Sequence, residues 1–175
     1  MDVITYPLDQ EHLHLFNQFD RKFSVSSKVA LDMSNGKLTW AVTPVERYEK
    51  EIPIDEVDPA DFVNSEDKVV FLAEADGNLA GQVKLISWWN GYAYIDDLIV
   101  NPQFRGHGVG KALMEAAIQW SREKRFPGIM LETQDDNVAA CKLYEACGFI
   151  LGGFDRYTLK NFKPDETALF WYLLF

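Results

Sequence analysis

The sequence predicts an α/β domain on a mixed, mostly antiparallel sheet flanked by helices. Three observations carry this. Three strand-forming runs between residues 69 and 100 are separated by Asp76-Gly77-Asn78 and Trp89-Asn90-Gly91, and such turns between β-rich runs mark hairpins. A glycine-rich stretch at 105–110 then opens an amphipathic helix. Beyond it come a strand, a second helix and two more strands. At 175 residues the chain has the length of a single domain, 1–175, able to bury its own core.

Each element has its own signal. Residues 1–36 read as a helical region, because Leu13, Phe16 and Phe19 recur at threes and Gly36 closes the stretch. Residues 37–175 hold the rest of the domain. Residues 37–45 are rich in strand formers. From Glu46 to Asp76 there are eleven acids against three bases, −8 of a net −10. This reads either as a solvated loop and helix face or as an acidic wall beside a site for a cation. Runs 69–75, 79–88 and 92–100 form a meander, which Pro102 ends. Val109, Ala112, Leu113, Ala116, Ala117 and Trp120 make one apolar helix face, and Pro127-Gly128 stops that helix. Residues 129–133 form a short buried strand. Residues 137–147 form a helix closed by Gly148 with Phe149 following. Runs 150–158 and 168–174 are the last strands.

Composition narrows the function. A content of 47% hydrophobic and 14% aromatic residues excludes disorder. A net charge of −10 repels phosphate backbones, so a cationic small molecule is expected as partner and nucleic acid is not. Cys141 and Cys147 lie on different helix faces and offer neither a disulfide frame nor metal spacing, so no metal is expected. Free thiols fit a cytoplasmic location. No secretory signal is evident, and the apolar run 168–175 is too short to span a bilayer, so no membrane partner is expected. A homodimer is left open.

The turn Arg105-Gly106-His107-Gly108-Val109-Gly110-Lys111 falls between the fourth predicted strand and the following helix. Glycines allow backbone N–H groups to point into one hollow, and the helix N-terminus adds positive potential. Together they make a pyrophosphate cradle. A Walker A loop does not fit, since Gly106 is one residue too close to Gly110 and Ala112 replaces the metal-binding hydroxyl. A dinucleotide fingerprint does not fit either, since the spacing is G-x-G-x-G after the third strand of a meander. The remaining alternative is a plain glycine-rich connection, which leaves the flanking Arg105 and Lys111 unexplained.

The run Asp97-Leu98-Ile99-Val100-Asn101-Pro102-Gln103-Phe104-Arg105-Gly106-His107-Gly108-Val109-Gly110 resembles motif A of the GNAT superfamily of N-acetyltransferases. Its core, R-x-x-G-x-G, is matched by Arg105, Gly108 and Gly110. The run from Asn137 through Leu143, Tyr144 and Gly148 to Phe149 resembles motif B, N-x-x-A-x-x-L-Y-x-x-x-G-F. The resemblance covers about residues 40–175. Within the superfamily the chain is similar to the streptothricin acetyltransferases, through 94–100, 153–157 and 168–173.

The resemblance implies a GNAT-type fold and acetyl transfer from acetyl-CoA to a primary amine. It assigns the N–H groups of Arg105, Gly106, His107, Gly108, Val109, Gly110 and Lys111 to the pyrophosphate. Leu98, Ile99 and Val100 would hold the pantetheine arm, with an N–H near Leu98 toward the thioester oxygen. Tyr144 would be the general acid, since a phenol of pKa ~10 can protonate a thiolate whose thiol has ~8.5. Asn137 and Tyr144, seven apart, share a helix face about 10.5 Å apart along the axis, so both can touch one extended ligand. Beside Leu143, Tyr144 also reads as a core residue.

Asp96 and Asp97 lead as the groups that bind and deprotonate the amine, because an acid pair inside an apolar strand is unusual. Strand neighbours point to opposite faces, so one of them should face the acceptor. A surface or capping role is the alternative. His12 and His14 in the predicted helix and His107 in the turn offer no better base. Cys141 and Cys147 read as helix packing. Among the aromatics Trp40, Trp88, Trp89, Tyr92 and Tyr157, Trp40 and Tyr157 stand as candidates to line the acceptor site. The implied acceptor is streptothricin, through its β-lysine amine. Alternatives are another amine (a polyamine, an aminoglycoside or a protein N-terminus), a non-catalytic acyl-CoA-binding module, which an intact Tyr144 speaks against, and a nucleotide phosphate-binding protein, which the loop spacing disfavours.

Overall fold

Strand outweighs helix in the chain, as its β-branched and aromatic runs favour. The computed structural model describes residues 1–175. In chain order it holds β1 (Val3–Pro7), β2 (Lys22–Asp32), β3 (Thr39–Glu51), β4 (Lys68–Ala75), β5 (Asn78–Ser87), β6 (Ala93–Val100), α1 (Val109–Glu123), β7 (Gly128–Gln134), α2 (Val138–Ala146), β8 (Ile150–Asp155) and β9 (Ala168–Leu174). Short 3-10 turns lie at Leu13–Leu15, Ser34–Gly36, Pro59–Phe62 and Pro102–Phe104. The fold is α/β, with mostly antiparallel strand pairing and two α-helices, as the sequence predicts. No helix is long and apolar enough to cross a membrane. The residues group into two compact units, one of Met1–Lys22, Glu51–Ile129 and Phe175, the other of Phe23–Lys50 and Met130–Leu174.

In the first unit the strand order is β1-β4-β5-β6, and all three pairings are antiparallel. Asp76 (φ 49°) and Gly77 (φ 77°) both take positive φ between β4 and β5, the turn geometry that suits strand twist. Helix α1 buries Val109, Leu113, Met114, Ala117 and Trp120 and packs on β1, β4, β5 and β6. Gly81 permits this approach, since a Cβ there would lie 2.5 Å from the Ile99 carbonyl oxygen and 3.1 Å from Leu113 Cδ1. A second cluster joins Leu8, Phe16, Phe62, Val70 and Leu72, with Leu13, Leu15 and Phe19 packed against it.

The helical reading of residues 1–36 is corrected. β1 pairs along β4 from Val3↔Ala75 to Pro7↔Phe71, one 3-10 turn spans Leu13–Leu15, and β2 begins at Lys22. Leu13, Phe16 and Phe19 recur at threes because an irregular segment drops them into the second cluster, and Asn17 at φ 59° breaks any helix. Phe23, Val25 and Val29 among serines favour strand, and pairing overrides weak helix propensity. The glycine turn therefore follows the sixth strand and not the fourth. The acidic stretch presents no α-helix face either. Its acids lie in β3, the irregular segments on either side of a 3-10 turn, that turn itself, β4 and the turn after β4. Several make local ties: Asp58 caps a turn by accepting from Ala60 N–H, and Glu74 accepts from the Tyr6 hydroxyl at 2.6 Å.

In the second unit β2 and β3 form a two-stranded ribbon, and β7, β9 and β8 follow in that order. Lys50 on β3 lies 2.7 Å from both Asp136 and Glu166, and the Tyr48 hydroxyl donates to Asp136 at 2.9 Å. β8 ends at Asp155, earlier than residue 158, because the Asp155 carboxylate accepts from the N–H groups of Tyr157 and Thr158. Helix α2 is closed at both ends. Asn137 Oδ1 accepts from Ala140 N–H at 3.3 Å, and Gly148 takes φ 88°. The N–H groups of Gly148 and Phe149 then donate to the carbonyls of Glu145 and Tyr144, both at 3.0 Å, the paired bonds of a Schellman stop. Gly148→Ala is expected to cost about 1–2 kcal/mol through the left-handed backbone, since Leu173 at 3.6 Å is an ordinary contact. Urea unfolding checks this, and an unshifted midpoint would show that the conformation imposes no cost.

Candidate active site

After β6 the chain turns through Pro102–Phe104 into α1. Gly106 (φ 78°) and Gly108 (φ 89°) are both left-handed, and no atom lies within 4 Å of where either Cβ would stand. Ala112 N–H donates to Gly108 O at 3.0 Å as α1 begins, so the N–H groups of Val109, Gly110 and Lys111 lack intrahelical acceptors. Open space beside both glycines therefore meets the positive end of a fifteen-residue helix. It fits a phosphate-bearing group.

Arg105 does something else. Its Nε donates to the Val100 carbonyl at 2.9 Å, its Nη2 to the Lys22 carbonyl at 3.1 Å, and its backbone N–H to Pro102 O at 3.3 Å. The expected role for the Arg105 N–H is thus corrected, and the side chain pins the turn. Lys111 lies 3.8 Å from Glu115, both exposed, and His107 is exposed. Leu98, Ile99 and Val100 pair with Val83, Gln82 and Gly81 of β5.

Asp96 and Asp97 do not alternate. Lys84 pairs with Asp97 and Leu85 with Ile95, so two residues of β6 oppose one of β5 in a bulge. Gln82 and Lys84 share one face of β5. Gln82 Nε2 donates to Asp97 at 2.8 Å and Lys84 Nζ lies 2.7 Å from Asp96, so both acids meet that same face. This corrects the expectation of opposite faces: the extra residue breaks the period of two. Asp97 takes both arms of Arg21, each at 2.9 Å, and its side chain is 13% exposed. Asp96 is 27% exposed and shares the buried Lys84 with Asp55 at 3.5 Å. Sequence reasoning missed Arg21, Gln82 and Lys84. Two polar residues two apart in a strand of buried residues were a signal for the latter pair; Arg21 carried none.

The second unit holds the motif around Tyr144. That residue is 6% exposed on α2, with the rings of Phe149 and Trp171 each at 6.1 Å. Asn137 is the N-cap of α2, so its Oδ1 is engaged by the backbone. Trp40 packs edge-on to Trp171 at 6.0 Å and donates from Nε1 to Glu145 at 3.2 Å. Tyr157 is exposed, with Lys160 over its ring at 5.2 Å. In the first unit Trp88 stacks on Tyr94 at 4.4 Å, and Trp89 is exposed. Cys141 is buried, which pushes its thiol up to about 12 and leaves it unreactive at neutral pH.

Residues 37–149, which include both the glycine turn and α2, match the Acetyltransferase (GNAT) family. Streptothricin acetyltransferase A of Bacillus subtilis (strain 168) is 38% identical over 168 residues, 94% of this chain and 96% of the relative. Streptothricin acetyltransferase of Escherichia coli is 42% identical over 116 residues, 65% of this chain and 66% of that protein. A Bacillus anthracis str. Ames structure in complex with acetyl coenzyme A, described as a candidate streptothricin acetyltransferase, superposes with a TM-score of 0.92 at 38% identity, covering 100% of this chain and 99% of that one. Nourseothricin acetyltransferase superposes with a TM-score of 0.81 at 26% identity, covering 99% of each chain. Sequence match and fold agree over the whole length that carries the turn and the tyrosine helix, and the chain belongs to the acetyltransferase (GNAT) family.

Proposed function

We propose that this chain is an acetyl-CoA-dependent N-acetyltransferase whose acceptor is streptothricin, acetylated on its β-lysine amine. The observation that carries the cofactor is the open turn at Gly106–Lys111, where left-handed glycines and the N–H groups of the first turn of α1 suit a pyrophosphate. The acceptor follows from the likeness to streptothricin acetyltransferase A over 94% of the chain. A net charge of −10 suits a polycation.

Acetyl-CoA supplies a thioester carbonyl open to attack by an amine. The N–H groups from Gly106 to Lys111 hold its pyrophosphate, and the main chain of Leu98 to Val100 aligns the arm that bears the acetyl group. The amine nitrogen bonds to the carbonyl carbon and loses a proton as the C–S bond breaks. The Tyr144 hydroxyl gives the departing sulfur its proton. Asp96, the more exposed acid of the bulge, takes the proton from the amine, directly or through water, while paired with Lys84 at 2.7 Å; Asp97, less exposed, is held by both arms of Arg21.

Mass spectrometry after incubation with acetyl-CoA and a panel of amines tests the acceptor. One acetyl group on streptothricin is the expected product. Acetylation of a polyamine, aminoglycoside or peptide N-terminus, with none on streptothricin, removes the acceptor and leaves the transferase. Asp96→Asn should lower acceptor kcat/KM and shift the pH–rate profile in a folded protein. Asp97→Asn should lower stability as well, by up to roughly 3–5 kcal/mol, because it strips a buried guanidinium of its counter-charge. Unchanged kcat/KM in Asp96→Asn would remove that residue as the base.

A further inference from the structure

The segment between the Leu13–Leu15 turn and β2 lacks regular structure, yet it is densely bonded to β6 and the glycine turn. Arg21, 4% exposed, gives both arms of its guanidinium to Asp97. Fully buried Gln82 donates to the same carboxylate. Asn17 closes the ring. Its Oδ1 accepts from Arg21 Nη2 at 3.0 Å and from Gln82 Nε2 at 2.6 Å, and its N–H donates to Gln82 Oε1 at 3.0 Å. Further along, Asp20 N–H donates to Asn101 Oδ1 at 3.0 Å, and the Lys22 carbonyl accepts from Arg105 Nη2 at 3.1 Å. One short segment thus ties down the bulge at residue 97, the strand end at 101 and the turn at 105.

The physics favours positioning over stability. A bulge interrupts the ladder and bends its strand, so the ladder alone defines residues 96–98 poorly. A buried ion pair adds little net stability, because desolvation offsets the attraction. Its two-pronged geometry does fix direction. Arg21 Nε is also buried without a partner, a cost that stability alone does not explain.

We propose that Asn17–Lys22 is a strap that holds the bulge and the glycine turn in mutual register, with Arg21 as a positioning residue for acetyl transfer. The proposal rests on the reading of β6 and the turn as the acetyl-CoA site. Displacement of reacting groups by about 1 Å can cost on the order of 10²-fold in rate.

The test is steady-state kinetics and acetyl-CoA calorimetry on Arg21→Lys, which keeps the charge and loses the fork. The expected result is a fall in kcat of about ten-fold or more, a raised KM for acetyl-CoA and a smaller change in acceptor KM. Arg21→Lys combined with Asp97→Asn should lose no more activity than the worse single variant, since both break one unit. Asn101→Ala releases the other end of the strap with the ion pair intact, and should move kcat and acetyl-CoA KM in the same direction, by less. A lowered Tm with unchanged kcat and KM in folded Arg21→Lys would overturn the proposal. If Arg21→Lys does not fold, wild-type kinetics in Asn101→Ala overturn it. Gly108→Val in the same assays separates the two readings. Retained acetyl-CoA binding there defeats the site itself, whereas lost binding there beside wild-type behaviour in the strap variants defeats only the strap.

Discussion

Tyr144→Phe is expected to lower kcat by about 10²–10⁴-fold while acetyl-CoA affinity stays close to wild type. The substitution removes one oxygen and keeps the ring. Phe149 and Trp171 pack around that ring, so the side chain should remain where it is and Tm should hold. Helix α2 is pinned at its start by Asn137 and at its end by the Gly148 motif, which removes the easy ways for the ring to drift. What would be lost is the proton that the proposed mechanism gives to the departing thiolate. Release of free thiol, followed at saturating acetyl-CoA, reads kcat directly. A wild-type kcat in folded Tyr144→Phe would make the residue a core tyrosine and nothing more.

Gly108→Val should abolish measurable acetyl-CoA binding, a loss of at least about 10²-fold. Two effects combine. A β-branched residue at φ 89° is strained, which lowers intrinsic stability by about 1–2 kcal/mol. A Cβ at Gly108 meets open space, so the added side chain would extend into the space proposed for the pyrophosphate. Melting curves separate these effects. The strain lowers Tm without ligand, and the occlusion removes the rise in Tm that acetyl-CoA gives, a rise worth about 2.7 kcal/mol at a hundred-fold excess over Kd. A full ligand-induced shift in the variant would mean that the phosphates sit elsewhere.

Much of the candidate site was legible because its signals are local. The glycine turn, the apolar face of α1 and the stop at Gly148 each depend on residues a few positions apart, and each lies where the sequence places it, whereas Asn137, expected on a helix face with Tyr144, is the N-cap just before α2. The bulge was not legible. Alternation predicts opposite faces for Asp96 and Asp97, and only the register against Lys84 shows both on one. Arg105 was misread for a related reason: a basic residue beside a phosphate turn suggests an anion, whereas its bonds go to the carbonyls of Val100 and Lys22.

By itself the sequence determined the family, the glycine turn, the tyrosine helix and the strands on either side of them, all from residues within one element or one turn. The tertiary structure decided the rest. Residues 3–7 are strand because β4, some seventy residues later, offers a partner edge, and no local propensity announces that pairing. Asp97 is committed because Arg21, 76 positions away, folds onto it. Charge pairing and strand pairing between distant segments depend on the path of the whole chain, so neither can be read from neighbouring residues.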